Sequence, residues 1–114
     1  MKTFYGGSFM KKEDLSEAGI YHPIKLEYYR TWESINGILD DNISKYGVEV
    51  IKTEYLDNNI NVENIKVNDI TDEEKEINNI LRLLKEHQVT PITVENVIED
   101  LLKKEKNEEI ELWD

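Results

Sequence analysis

The residues with the clearest capacity for chemistry are two histidines and a set of carboxylates. His22 precedes Pro23, and His87 follows a helix-forming segment. A metal or acid–base site would need a second group at local spacing, and neither histidine has one. The chain contains no cysteine, which excludes a disulfide, a thiolate zinc site and a cysteine nucleophile. The sequence therefore predicts no catalytic residue, no metal and no cofactor.

Two acidic patterns imitate metal sites. Glu95 and Glu99 stand one helical turn apart, but Glu99 also lies four residues before Lys103, the spacing of ordinary ion pairs on a helix surface. Asp57–Asn61 resembles the start of a calcium loop. Val62 then stands where that loop requires glycine, and the twelfth position is also wrong. We interpret the first pattern as a solvated helix face and the second as a hairpin turn.

Charge excludes several function classes. The net charge is -11, and residues 71–114 contribute thirteen acids against six bases. Each phosphate contact requires a cation, so direct binding of nucleic acid is not expected. No run of eighteen apolar residues occurs, so a membrane span is not expected either. We expect a cytoplasmic protein.

The middle of the chain predicts a sheet. Ile24, Leu26 and Tyr28 alternate with polar residues, which is typical of a half-buried strand. Further strands are predicted over 46–56 and 60–67, joined by a tight turn at Asp57–Asn59. The apolar spacing slips between Val62 and Ile65, which predicts a bulge at Glu63–Asn64.

The C-terminal half predicts two helices separated by Val89-Thr90-Pro91. Thr71 and Glu74 have capping-box spacing at the start of the first helix. The predicted fold is therefore α+β, a three-stranded antiparallel β-meander packed against two C-terminal α-helices. Residues 1–23 are expected to be a partly ordered N-terminal arm, 24–106 a single domain and 107–114 an acidic tail. The predicted core comprises Leu26, Tyr28, Val48, Val50, Ile65, Val67, Ile77, Ile80, Leu81, Leu84, Val97, Ile98 and Leu101.

Aromatic residues mark a candidate interface. Tyr28 and Tyr29 must point to opposite faces of a strand, so at least one ring is expected to be exposed. Exposed Tyr and Trp side chains are typical of protein interfaces. We therefore predict Tyr29, Trp32 and Tyr55 as partner-binding residues. The alternative is that the helices and the N-terminal arm cover both faces.

Three segments resemble a known family. They are Ile24–Tyr29, Tyr46–Lys52 and the Val89–Ile92 turn leading to Val97–Leu101. Over about residues 24–102 the chain resembles a family of small uncharacterised proteins from anaerobic, spore-forming low-GC bacteria. The resemblance implies the same fold and origin and adds no catalytic residue.

The leading hypothesis is a non-enzymatic acidic interaction protein that regulates or inhibits a larger protein by binding it. A homodimer is left open. The first alternative is a phage-encoded, anti-CRISPR-like inhibitor that imitates DNA and binds a nucleic-acid-binding protein. The second alternative is a small enzyme. The acids that could imitate phosphates are Asp72, Glu73, Glu76, Glu95, Glu99 and Asp100.

Overall fold

The computed structural model describes residues 1–34 and 44–111, with side chains over 1–33 and 45–103. Most of the predicted connection at 34–45 and the last three residues of the predicted tail lie outside the described residues. The elements, in chain order, are β1 (Lys2–Met10), α1 (Lys12–Leu15), a 3₁₀ turn (Ser16–Ala18), β2 (Ile24–Ser34), β3 (Ser44–Tyr55), β4 (Ile60–Thr71), α2 (Glu74–Glu86) and α3 (Val94–Glu111).

The sheet has four strands in the order β1-β2-β3-β4, and each neighbouring pair is antiparallel. The prediction of a three-stranded meander is therefore wrong. The extra strand is Lys2–Met10, which lies in the segment predicted to be an N-terminal arm. It pairs with β2 from Lys2 opposite Thr31 to Met10 opposite Ile24. The α+β class is confirmed.

The bulge in β4 does not lie where the apolar spacing placed it. β3 and β4 pair in regular register from Val48 opposite Val67 to Tyr55 opposite Ile60, so Glu63–Asn64 carries no bulge. The register shifts beyond Val67 instead. The apolar slip has another cause: Ile60 and Val62 lie on one face of the sheet, whereas Ile65 and Val67 lie on the other.

Gly47 stands opposite this irregularity. A Cβ atom at Gly47 would lie 2.3 Å from the carbonyl oxygen of Val67, far inside van der Waals contact. Asp69 adopts a left-handed φ of 55° in the same segment. Glycine is therefore required at position 47 because the two backbones approach so closely.

The core lies between the sheet and helices α2 and α3. The helix periodicity predicted α2 well, because Ile77, Ile80, Leu81 and Leu84 are all buried. Ile65, Val67, Val97 and Leu101 of the predicted core are only partly buried. The fully formed core comprises Ile24, Leu26, Tyr28, Val48, Val50, Ile77, Ile80, Leu81, Leu84, Val89, Val94 and Ile98.

A buried hydrogen bond links the sheet to the turn before α3. The Tyr28 hydroxyl donates to the carbonyl oxygen of Val89 at 2.9 Å. Burial raises the pKa of Tyr28 to about 12. The bond satisfies two polar groups that would otherwise be isolated in the core.

The predicted capping box at the start of α2 is absent. Glu73 is the N-cap residue and makes no side-chain capping bond. Thr71 is the last residue of β4, and its hydroxyl accepts the Glu73 N–H at 3.1 Å. Glu74 pairs with Arg30 of β2 at 3.0 Å instead. The helix therefore begins later than the spacing predicted.

Candidate functional site

One face of the sheet is packed against the helices, and the other forms what we call the open face. Strand alternation places Ile24, Leu26 and Tyr28 in the core and Lys25, Glu27 and Tyr29 on the opposite side. By the same register the open face comprises Lys2, Phe4, Gly7, Phe9, Lys25, Glu27, Tyr29, Thr31, Glu33, Lys45, Gly47, Glu49, Ile51, Thr53, Tyr55, Ile60, Val62, Asn64 and Lys66.

The centre of the open face is a fixed polar network around Glu49. One carboxylate oxygen of Glu49 accepts from Lys2 Nζ at 2.8 Å, and the other accepts from Asn64 Nδ2 at 3.2 Å. Only 8% of the Glu49 side chain is exposed. Lys2 Nζ also lies 4.6 Å from the centre of the Tyr29 ring, a cation–π distance. The network thus joins β1, β2, β3 and β4.

A second chain of contacts runs along β2. The Tyr29 hydroxyl donates to Glu27 at 2.6 Å, and Lys25 Nζ lies 3.3 Å from the same carboxylate. The hydrogen bond from Tyr29 and the ion pair with Lys25 lower the pKa of Glu27. The hydrogen bond to Glu27 raises the pKa of Lys25.

The pKa shifts in this network follow from its hydrogen bonds and ion pairs. Desolvation would raise the pKa of Glu49, but hydrogen bonds from Lys2 and Asn64 outweigh it and leave the pKa lowered. The hydrogen bond to Glu49 raises the pKa of Lys2. A general acid or base works best with a pKa near the operating pH. Here every shift moves away from neutrality, so the groups stay charged and paired.

Exposed apolar side chains flank the polar network on the two outer strands. Phe4 and Phe9 of β1 are 56% and 58% exposed, and Ile60 and Val62 of β4 are 62% and 59% exposed. Phe4 meets the Tyr29 ring edge-on at 5.5 Å, which fixes its orientation. The open face is therefore polar and ordered at its centre and apolar at both sides.

A depression of about 370 Å³ lies between Phe4 and Phe9. Gly7, Lys25 and Glu27 also line it. A Cβ atom at Gly7 would lie 2.7 Å from the carbonyl oxygen of Leu26, so glycine is required there. The depression is large enough to receive an apolar side chain of a partner, as interface anchor pockets do.

The structure separates the aromatic residues that the sequence grouped together. Tyr29 and Tyr55 lie on the open face, where Tyr55 packs against Phe9 at 6.2 Å. Trp32 lies on the other face beside Tyr46, and the Arg30 guanidinium lies 5.8 Å and 5.5 Å from their rings.

The six predicted phosphate-mimicking acids lie on the helical side. Glu73 and Glu76 line a polar groove of about 640 Å³ between Tyr5 and the outer side of α2. Glu76 is half-buried and accepts a hydrogen bond from the Thr71 hydroxyl at 3.1 Å. The other five acids are exposed. Within the described part of the chain, no group of three or more His, Cys, Asp or Glu residues could hold a metal ion.

Sequence reasoning missed the contribution of β1. Lys2, Phe4 and Phe9 belong to the open face, but a bulge between Phe4 and Gly6 breaks the alternation that would have revealed the strand. The available signal was the density of aromatic residues around Gly6–Gly7, since aromatics are enriched in strands.

A family model matches most of the chain. A model of a family of unknown function, DUF6514, matches residues 10–104. The chain belongs to this family. The match begins earlier than the resemblance at 24–102 and takes in the end of β1. No curated protein and no solved structure matches the chain. Among the described residues, no helix is long and apolar enough to cross a membrane.

Proposed function

We propose that this DUF6514 protein is a non-enzymatic regulator that binds a larger protein through the open face of its sheet. The observation that supports this is the exposure of Phe4, Phe9, Ile60 and Val62 on the same face. Large apolar side chains exposed together are a signature of interaction surfaces.

The polar network supports the same proposal in a second way. Glu27 and Glu49 each accept at least one hydrogen bond or ion pair from the protein itself. A partner that covers these carboxylates would therefore not leave unpaired charges, which is the main penalty for burying charge in an interface. The ordered network also lowers the entropy lost on binding.

The depression over Gly7 supplies a specific anchor. Phe4 is held by Tyr29 and Phe9 by Tyr55, so the two walls are positioned before a partner arrives. We infer that the partner places an aliphatic or aromatic side chain between them. The cytoplasmic setting and the bacterial or phage source remain predictions.

A variant pair tests the proposal. Phe9→Lys places a charge at the depression, whereas Ile92→Lys is a matched control because Ile92 is 77% exposed and lies outside the sheet. A tagged wild-type protein is expected to recover a stoichiometric partner from the cells that encode it. Phe9→Lys should lose that partner and Ile92→Lys should retain it, with similar melting temperatures for all three proteins. Retention of the partner by Phe9→Lys would contradict the use of the open face.

DNA mimicry is a second candidate, supported by the exposure of five of the six predicted acids on the helical side. It uses a different surface, so the two proposals are separable. Under mimicry, Glu99→Lys should weaken binding to a nucleic-acid-binding partner, and duplex DNA should compete. Under the open-face proposal, neither effect is expected. If the protein is instead an enzyme, its catalytic turnover should be retained in the Phe9→Lys variant.

A further inference from the structure

The outer edge of β4 is the sheet edge best able to add another strand. β1, at the opposite edge, is interrupted by the bulge between Phe4 and Gly6. β4 is regular from Ile60 to Val67, and its exposed residues include Asn61, Asn64 and Lys66. Bulges protect edges from pairing, whereas long regular edges invite it.

Antiparallel geometry determines which backbone groups of β4 are free. Leu56 N–H donates to the Asn59 carbonyl at 2.9 Å, so the odd-numbered residues of β4 bond to β3. The N–H and C=O groups of Ile60, Val62, Asn64 and Lys66 then point away from the sheet. Among the described residues, no backbone hydrogen bond other than those of the sheet reaches them.

We propose that this edge pairs with the same edge of a second copy of the chain, in an antiparallel register centred on Asn64. In this register Asn64 lies opposite Asn64 of the other copy, Val62 opposite Lys66, and Glu63 opposite Ile65. It keeps Asn61–Val67 paired within the regular stretch and adds about six backbone hydrogen bonds.

Charge and the length of the regular stretch together select this register. A shift that centres the pairing on Glu63 would place two glutamates directly opposite each other, and one centred on Lys66 would do the same with two lysines. Like charges directly opposite destabilise strand pairing. Centring on Ile65 avoids like charges but extends the pairing into the irregular segment after Val67. Centring on Val62 also avoids like charges but pairs only Ile60–Asn64. The Asn64 register avoids like charges and pairs more of the regular stretch, from Asn61 to Val67.

The chemistry of the pairing also explains the exposure of Val62. The aliphatic stem of Lys66 from the other copy would lie across Val62 and cover part of it.

The segment Ile60–Val67 carries one acid and one base, so it is locally neutral in a chain of net charge -11. The result would be a continuous sheet of eight strands, four from each copy. This inference does not depend on the proposed partner-binding function.

A disulfide tests the register, since the natural chain contains no cysteine. Residues opposite each other on bonded antiparallel strands have Cα atoms about 5.5 Å apart, within the range that a disulfide spans. Asn64→Cys should therefore form a covalent dimer rapidly under mild oxidation. Lys66→Cys is the control, because its two copies would lie about 13 Å apart along the strands.

Sedimentation of the wild-type chain completes the test. A mass twice the 13.5 kDa of one chain is expected, with dissociation on dilution. Val62→Lys should shift the population toward monomer by opposing Lys66, and adding Lys66→Glu should restore the dimer. A wild-type protein that stays monomeric as its concentration is raised would overturn the proposal. Equal cross-linking of Asn64→Cys and Lys66→Cys would overturn it as well.

Discussion

Replacing Tyr28 by phenylalanine tests how the sheet is joined to the turn before α3. The ring is fully buried, and its hydroxyl is bonded to the Val89 carbonyl at 2.9 Å. Tyr28→Phe keeps the ring but leaves that carbonyl without its partner in a buried site. An unsatisfied buried polar group costs about 1–3 kcal/mol. We expect the free energy of unfolding to fall by that amount at neutral pH.

The pH dependence of this loss sharpens the prediction. Burial raises the pKa of Tyr28 to about 12, whereas an unfolded tyrosine ionises near 10. Between these values the unfolded chain has released its proton and the folded chain has not, so stability falls as the pH rises. At pH 11 the wild-type protein should lose about 1.4 kcal/mol relative to neutral pH through this group.

Tyr28→Phe lacks this titration. The difference in free energy of unfolding between the wild type and the variant should therefore be smaller at high pH than at neutral pH. Urea unfolding followed by fluorescence, at pH 7 and pH 11, measures both free energies. The other tyrosines titrate in both proteins and cancel in the comparison. If the difference in free energy of unfolding between wild type and variant is the same at pH 7 and pH 11, the assignment of the raised pKa to Tyr28 is refuted. Equal stability at neutral pH would refute the importance of the bond to Val89.

Other perturbations have clear expected outcomes. Leu81→Ala should lower the free energy of unfolding by about 2–5 kcal/mol because the side chain is fully buried. Leu83→Ala should lower it less in the same denaturation assay because Leu83 is only partly buried. Gly47→Ala should lower the melting temperature, since its Cβ would collide with the Val67 carbonyl; an unchanged melting temperature would contradict the close approach. Glu49 has a lowered pKa, so its contribution is present above the ordinary carboxyl pKa and lost as the pH falls through the folded value. The Glu49→Gln variant should therefore lose less stability than the wild type as the pH falls, as measured by circular dichroism of acid unfolding.

The sequence predicted best the elements whose periodicity is regular. The apolar stripe of α2 repeats at helical spacing, and all four of its members are buried. Alternation located β2 because Ile24, Leu26 and Tyr28 face one side without interruption. The hairpin at Asp57–Asn59 was predicted from turn residues and is confirmed by the Leu56–Asn59 hydrogen bond.

The sequence did not reveal where the pairing of the strands is irregular. β1 was missed because its bulge near Tyr5 shifts the alternation by one residue. The slip in apolar spacing between Val62 and Ile65 was interpreted as a bulge, whereas it marks a change of face in a regularly paired strand. The open face depends on both features. Its Phe4–Tyr29 and Lys2–Glu49 contacts join residues far apart in the chain, which no local pattern could reveal.

The distribution of charge separates the two functional hypotheses. Residues 71–114, which include helices α2 and α3, hold a net charge of -7. The open face carries four lysines and three glutamates, so its net charge is +1 in an acidic protein. Binding through this face would depend mainly on apolar burial, and salt screens such an interaction little. Binding through the carboxylates of the helical side would instead weaken steeply with salt, as charge-driven association does. A partner affinity that is constant with ionic strength would therefore favour the open face, and a steep decline would favour DNA mimicry.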